Sequence, residues 1–127
     1  MTLLHLLTFD VAGRPASYSS AHEAAWKLAV DRAIEEAQWD HAIDPTETRF
    51  AVRVDFRTPM ARNANEFWDL DNLIKPTLDA MERVFGRRDW QGRRQPADDR
   101  VDRIEASKRT VAEDEGPGAR ITVWAIK

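Results

Sequence analysis

The sequence predicts an α/β fold of two layers, a mixed β-sheet carrying two α-helices in the order β-α-β-α-β-β. Three observations predict it. Phe50, Val52, Val54 and Phe56 alternate with Arg49, Arg53, Asp55 and Arg57, the period-two pattern of a strand with one buried face. Leu70, Leu73, Ile74, Leu78, Met81, Val84 and Phe85 recur at spacings of three and four, the pattern of a helix packed on a sheet. The chain then closes on "RITVWAIK", a second strong strand pattern after the turn "EDEGPGA".

The remaining elements follow in order. Residues 2–9 are leucine-rich and alternate weakly, which suits a mostly buried first strand, and "GRPAS" reads as a loop. Ser20 with Glu23 three residues on has capping-box spacing and opens a helix to about Trp39. Trp26, Val30, Ala33 and Ala37 fall on one of its faces, with Ile34 beside them. "DPTE" breaks that pattern before the strand at 50–56, whose polar face shows three arginines, either exposed or ion-paired. After the loop "TPMARNANE" comes one helix from Trp68 to Gly86, a natural stop. Pro76 is explained if the helix proper begins near Lys75, since proline suits a first helical turn. "GRRDWQGRRQPADD" reads as a loop, and residues 100–111 as a weaker strand.

Length and composition set the class. A chain of 127 residues fits one domain, over residues 1–127, and 43% hydrophobic with 32% charged residues is an ordinary globular mixture. There is no cysteine, which excludes disulfides and thiolate zinc sites. "MTLLHLLTFD" lacks the basic start and cleavage site of a secretory signal, and no apolar run approaches a membrane span, so a cytoplasmic protein with no membrane partner is expected. The net charge of -3 argues mildly against a nucleic-acid partner, but the charge is segregated. Residues 83–109 hold Arg83, Arg87, Arg88, Arg93, Arg94, Arg100, Arg103, Lys108 and Arg109. The tryptophans are expected in the core except Trp90, which sits inside this basic stretch and suits a stacked base or a dimer contact. His5, His22 and His41 have no ligand spacing and read as structural or surface residues.

The chemistry lies in "WDLDNLIKPTLDAMERVFG". Asp69 and Asp71 are one residue apart, so in an extended segment both carboxylates share a face. Such a pair repels itself unless a cation sits between, and a hard divalent ion such as Mg²⁺ is held by few carboxylates together with water and substrate phosphate oxygens. The same acids also suit a helix start, where the macrodipole favours them, and spacing alone leaves both readings open. Lys75 and Asp79 follow Asp71 at successive helical turns on one face. They read as an ordinary surface ion pair, or as a lysine that neutralises a phosphate beside the metal. Asp98 or Asp99 is the obvious distant third ligand. The arginines at 87, 88, 93 and 94 are candidates for DNA backbone contacts, or a solvated loop.

"DLDNLIKPTLDAM" followed by "DDRVDRIEASK" resembles the RusA family of Holliday-junction resolvases. The likeness is specific over residues 69–81, moderate over 97–108, and topological elsewhere. It implies a homodimeric endonuclease that uses Mg²⁺ or Mn²⁺ to cut branched DNA, typically four-way junctions, in recombination and repair. Carried over by position, Asp69 and Asp71 match the metal-site aspartates and Lys75 the essential lysine. Counting back from Lys108, the family spacing selects Asp98 over Asp99, giving Asp69, Asp71 and Asp98 as metal ligands. Asn72 and Asp79 match positions of the same motif. Three departures bear on substrate choice rather than on hydrolysis. Phe67 and Trp68 stand where family members often carry basic residues, "VAGRPASYSS" has a single arginine, and "GRRDWQGRRQPA" is longer than usual. A nuclease for flaps or other branched DNA, or a non-catalytic DNA-binding or regulatory protein of the same fold, are the competing readings.

Overall fold

Phe50, Val52, Val54 and Phe56 are fully buried, because the strand that holds them, β2 (Arg49–Thr58), lies inside the sheet. The structure is a computed structural model describing residues 2–39 and 43–127, so His41 lies outside the described residues. β1 (Leu3–Ala12), β6 (Gly118–Ile126), β2 and β5 (Val101–Thr110) form one sheet in the order β1-β6-β2-β5. β6 is antiparallel to both β1 and β2, whereas β5 runs parallel to β2. A parallel pair needs a long crossover, and α2 (Leu70–Asp79) supplies it. The crossover returns the chain from the end of β2 to the start of β5, where Val101 pairs with Phe50.

On the polar face of β2 the three arginines are ion-paired within the chain. Arg49 meets Asp102, Arg53 meets Asp55 at 3.1 Å and Arg57 lies 3.8 Å from Asp10. At the β1–β6 seam, a Cβ on Gly118 would come within 2.0 Å of the Val11 carbonyl, so only glycine fits there.

The first helix, α1 (Glu23–Glu36), is shorter than expected at both ends. Glu23 reaches back as a capping glutamate does, but its carboxylate accepts from the Ser19 N–H at 2.6 Å rather than from Ser20. Gln38, in the left-handed region at φ 55, follows the end of the helix. The buried stripe is Trp26, Val30 and Ile34, while Ala37 is exposed. Of the tryptophans only Trp26 is fully buried; Trp39, Trp68 and Trp124 are half-buried and Trp90 is exposed.

Two corrections concern the second half of the chain. The helix expected from Trp68 to Gly86 is split into α2 and a short α3 (Glu82–Phe85). Ala80 N–H is shared between the Pro76 and Thr77 carbonyls and Met81 N–H takes the Leu78 carbonyl, the tightened bonding of a helix end. The break lets Phe85 pack on Phe50, with ring centroids 5.1 Å apart. The stretch expected as a loop is a hairpin, β3 (Arg87–Trp90) and β4 (Arg93–Pro96), joined at Gln91 and Gly92.

Pro76 also sits differently from expectation, well inside α2 rather than at its start. A proline has no N–H to give the carbonyl four residues back, here that of Asn72. The Tyr18 N–H fills that vacancy at 2.9 Å, tying the loop before α1 to the helix. A second tie lies deeper. Trp26 Nε1 donates to Thr77 Oγ1 at 2.9 Å, and the Thr77 hydroxyl in turn donates to the Leu73 carbonyl at 2.8 Å. α2 is therefore fixed to α1 by polar as well as apolar contacts.

Candidate active site

α2 opens at Asp69, whose extended backbone (φ -80, ψ 131) is that of an N-cap residue. Its carbonyl accepts the Leu73 N–H at 3.1 Å, but its carboxylate makes no capping bond. Asp71 lies in the first turn and is exposed. Among the described residues neither carboxylate has a hydrogen bond or an ion pair. Two hard oxygen donors thus stand uncommitted at one helix mouth.

One turn further on, Lys75 gathers the next layer. Its Nζ lies 2.7 Å from Asp79 Oδ1 and 3.3 Å from Asp98 Oδ2. The first contact follows from i, i+4 spacing on α2. The second depends on the fold, because Asp98 lies in a single 3-10 turn, Asp98–Arg100, immediately before β5. Of the adjacent acids, Asp98 is 18% exposed and faces Lys75, whereas Asp99 is 51% exposed. Arg88, from the base of the hairpin, spans both, with its amino groups 3.7 Å from Asp98 and 3.1 Å from Asp99. Lys108, on β5 opposite Phe56, donates to the Trp68 carbonyl next to Asp69. Two lysines therefore flank the α2 acids from different elements.

Partial burial works against the charge on Lys75, but hydrogen bonding to Asp79 and the fields of Asp79 and Asp98 outweigh it. Its ammonium is held above the ordinary lysine range, so Lys75 is a fixed cation near neutral pH. It can neutralise a phosphate or a developing negative charge. Beside it is an open cavity of about 240 Å³, lined by Tyr18, Lys27, Lys75, Arg88, Gln95 and Asp98, among others.

Of the residues expected to act together, the structure joins Lys75 with Asp98 and adds Asp79. Asp69 and Asp71 stand at the other end of the helix face, and among the described residues no three acidic or imidazole side chains gather closely enough to hold an ion. The donor chemistry of Asp69 and Asp71 fits a hard divalent cation; Asp98 is engaged by Lys75 and Arg88. The four hairpin arginines differ. Arg87 is paired with Glu82, Arg88 with Asp98 and Asp99, and Arg94 lies 3.9 Å from Asp89. Arg93 has no partner among the described residues. His5 bonds Thr8 at 2.7 Å and His22 lines a cleft beside Arg14, both away from the acids.

Tyr18 and Lys27 come to the site from the first third of the chain, where no motif marks them. One signal was available. Pro76 leaves the Asn72 carbonyl without a helical donor, so some other segment had to cover it, and that segment carries Tyr18.

Comparison with known proteins bears on this surface. A family model described as Endodeoxyribonuclease RusA matches residues 9–123, a span that takes in all of these residues. No curated protein matches the chain.

Proposed function

Because the chain belongs to the RusA endodeoxyribonuclease family, we propose that it is a Mg²⁺- or Mn²⁺-dependent endonuclease that resolves four-way DNA junctions as a homodimer. The observation that carries the reading is the meeting of Lys75 and Asp98. Two segments 23 residues apart in the chain converge on the helix face that also presents Asp71. A bland helix cap would need no such partner from the start of β5.

Asp69 and Asp71 would hold the divalent ion, which supplies Lewis acidity and an activated water when bound. Asp98, engaged by Lys75 and Arg88, would join them as a third ligand only on release from those cations. The chain's own residues account for the rest. Lys75, kept protonated by its two carboxylates, offsets charge on the phosphate as it grows toward the transition state. Arg88 orients Asp98 by sharing its guanidinium between Asp98 and Asp99. Lys108 braces the Trp68 carbonyl, fixing the entry to α2 and with it Asp69. A two-fold dimer would present one such site to each of two symmetry-related strands, as paired cuts across a junction require.

The test is incubation with labelled four-way, flapped and linear duplex DNA, with and without Mg²⁺. Symmetric junction cuts that need the metal and vanish in Asp71→Asn are expected. No metal-dependent cleavage of any of the three would overturn the enzyme reading, and preferential flap cleavage would overturn the junction assignment.

A further inference from the structure

Resting on that nuclease reading, we infer that the β3–β4 hairpin is a strand-holding arm. Trp90 stacks on a base whose stacking is interrupted at the branch of the DNA, and Arg93 holds the neighbouring backbone phosphate. The expected loop is a two-stranded arm with a tight tip, since Gln91 (φ 50) and Gly92 (φ 75) both adopt the left-handed backbone of a two-residue hairpin turn. Such a turn fixes the register, and directly opposed residues share a face. Trp90 opposes Arg93 and Arg88 opposes Gln95, so these four side chains lie on one side of the arm. Asp89 and Arg94 lie on the other.

The two sides differ in charge and in what they continue. Arg88 and Gln95 line the cavity beside Lys75 and Asp98, so their face runs outward from that cavity to Trp90 and Arg93 at the tip. On the opposite side Arg94 is drawn toward Asp89, and Arg87 pairs with Glu82. Arg93 is left without a carboxylate among the described residues, and Trp90 is 54% exposed with no core to explain it. An open aromatic face beside a free guanidinium matches one nucleotide, with base on ring and phosphate on cation. In continuous duplex the base faces are already stacked on one another, so the ring finds a partner only where that stacking is interrupted, as at a branch. The arm thus supplies a reason to prefer branched over linear DNA.

The experiment places 2-aminopurine at the branch of a four-way junction and follows its fluorescence and the binding affinity in EDTA, where cleavage does not interfere. The wild-type protein should quench the probe. Trp90→Ala should lose the quenching and bind the junction about tenfold or more weakly, and Trp90→Phe should keep most of both. Arg93→Ala should weaken binding more than Arg94→Ala and lower the salt slope of log Kd by about one. Quenching and affinity unchanged in Trp90→Ala, or equal losses at Arg93 and Arg94, would overturn the arm. If wild-type protein cuts junctions with Mg²⁺ in that case, the nuclease reading stands alone. Wild-type protein that neither binds nor cuts a junction would overturn both.

Discussion

Replacing Thr77 with valine tests the joint that holds α2 in place. Valine keeps the shape, so no cavity opens at a residue with no exposed surface. What disappears is the hydroxyl that accepts from Trp26 Nε1 at 2.9 Å. The indole N–H then stays buried without a partner, which costs roughly 1–3 kcal/mol. The lost bond to the Leu73 carbonyl adds little, because threonine bonding back within its own helix is at best neutral. The gain from burying a methyl in place of the hydroxyl, about 0.8 kcal/mol, offsets part of the penalty. The net expectation is a loss of about 0.2–2 kcal/mol. Urea denaturation should show a lower midpoint at unchanged m. Trp26→Phe completes a double-mutant cycle, whose coupling should reach about 0.5 kcal/mol or more. A Thr77→Val protein as stable as wild type, or a cycle additive within about 0.3 kcal/mol, would mean that α1 and α2 are held by apolar packing alone.

Three other expectations follow from the same geometry. Lys75→Met and Asp71→Asn should each slow junction cleavage by about 100-fold or more, with an unchanged circular dichroism spectrum. Because the folded-state pKa of Lys75 is raised, its stabilising effect is fully present below the ordinary lysine value and lost as pH rises through the folded one. The stability difference between wild type and Lys75→Gln, read by thermal melting, should therefore be flat from about pH 6 to about pH 9 and close above about pH 10.5. Gly118→Ala should cost roughly 2–4 kcal/mol in urea denaturation, because its Cβ would meet the Val11 carbonyl at 2.0 Å and force β1 from β6.

Much of the fold is legible in the sequence because burial imposes a period. β2 and β6 bury alternate residues, and the spacing of Leu73, Val84 and Phe85 follows from packing on the sheet. The same periodicity conceals the break at Ala80, since the apolar spacing runs through it unchanged while the backbone changes direction. The hairpin escaped for the opposite reason. β3 and β4 bury almost nothing, so arginines fill them and no alternation appears. Its turn was legible, however. Gln91-Gly92 between "RRDW" and "RRQP", runs of equal length, is a two-residue hairpin signal. At the site, Lys75 and Asp79 followed from helical spacing. The placement of Asp98 against Lys75 depends on the parallel pairing of β5 with β2, which no local pattern encodes.

The remaining difficulty for a DNA enzyme is its net charge of -3, and the structure meets it by distribution rather than by total. Arg49, Arg53, Arg57, Arg83, Arg109 and Arg120 are matched by carboxylates of the same chain, which removes them and their partners from any long-range field. Lys27, Arg93 and Lys108 have no carboxylate partner among the described residues. Lys27 lines the cavity beside Lys75, Lys108 touches the entry to α2, and Arg93 lies at the tip of the arm that leaves the cavity. With a screening length of about 8 Å at physiological salt, a backbone phosphate in the cavity responds to these neighbours far more than to distant acids. An acidic protein of this kind should bind linear DNA weakly and gain affinity only where a substrate reaches all three cations at once. Local charge then selects for a branched shape, instead of attracting every duplex.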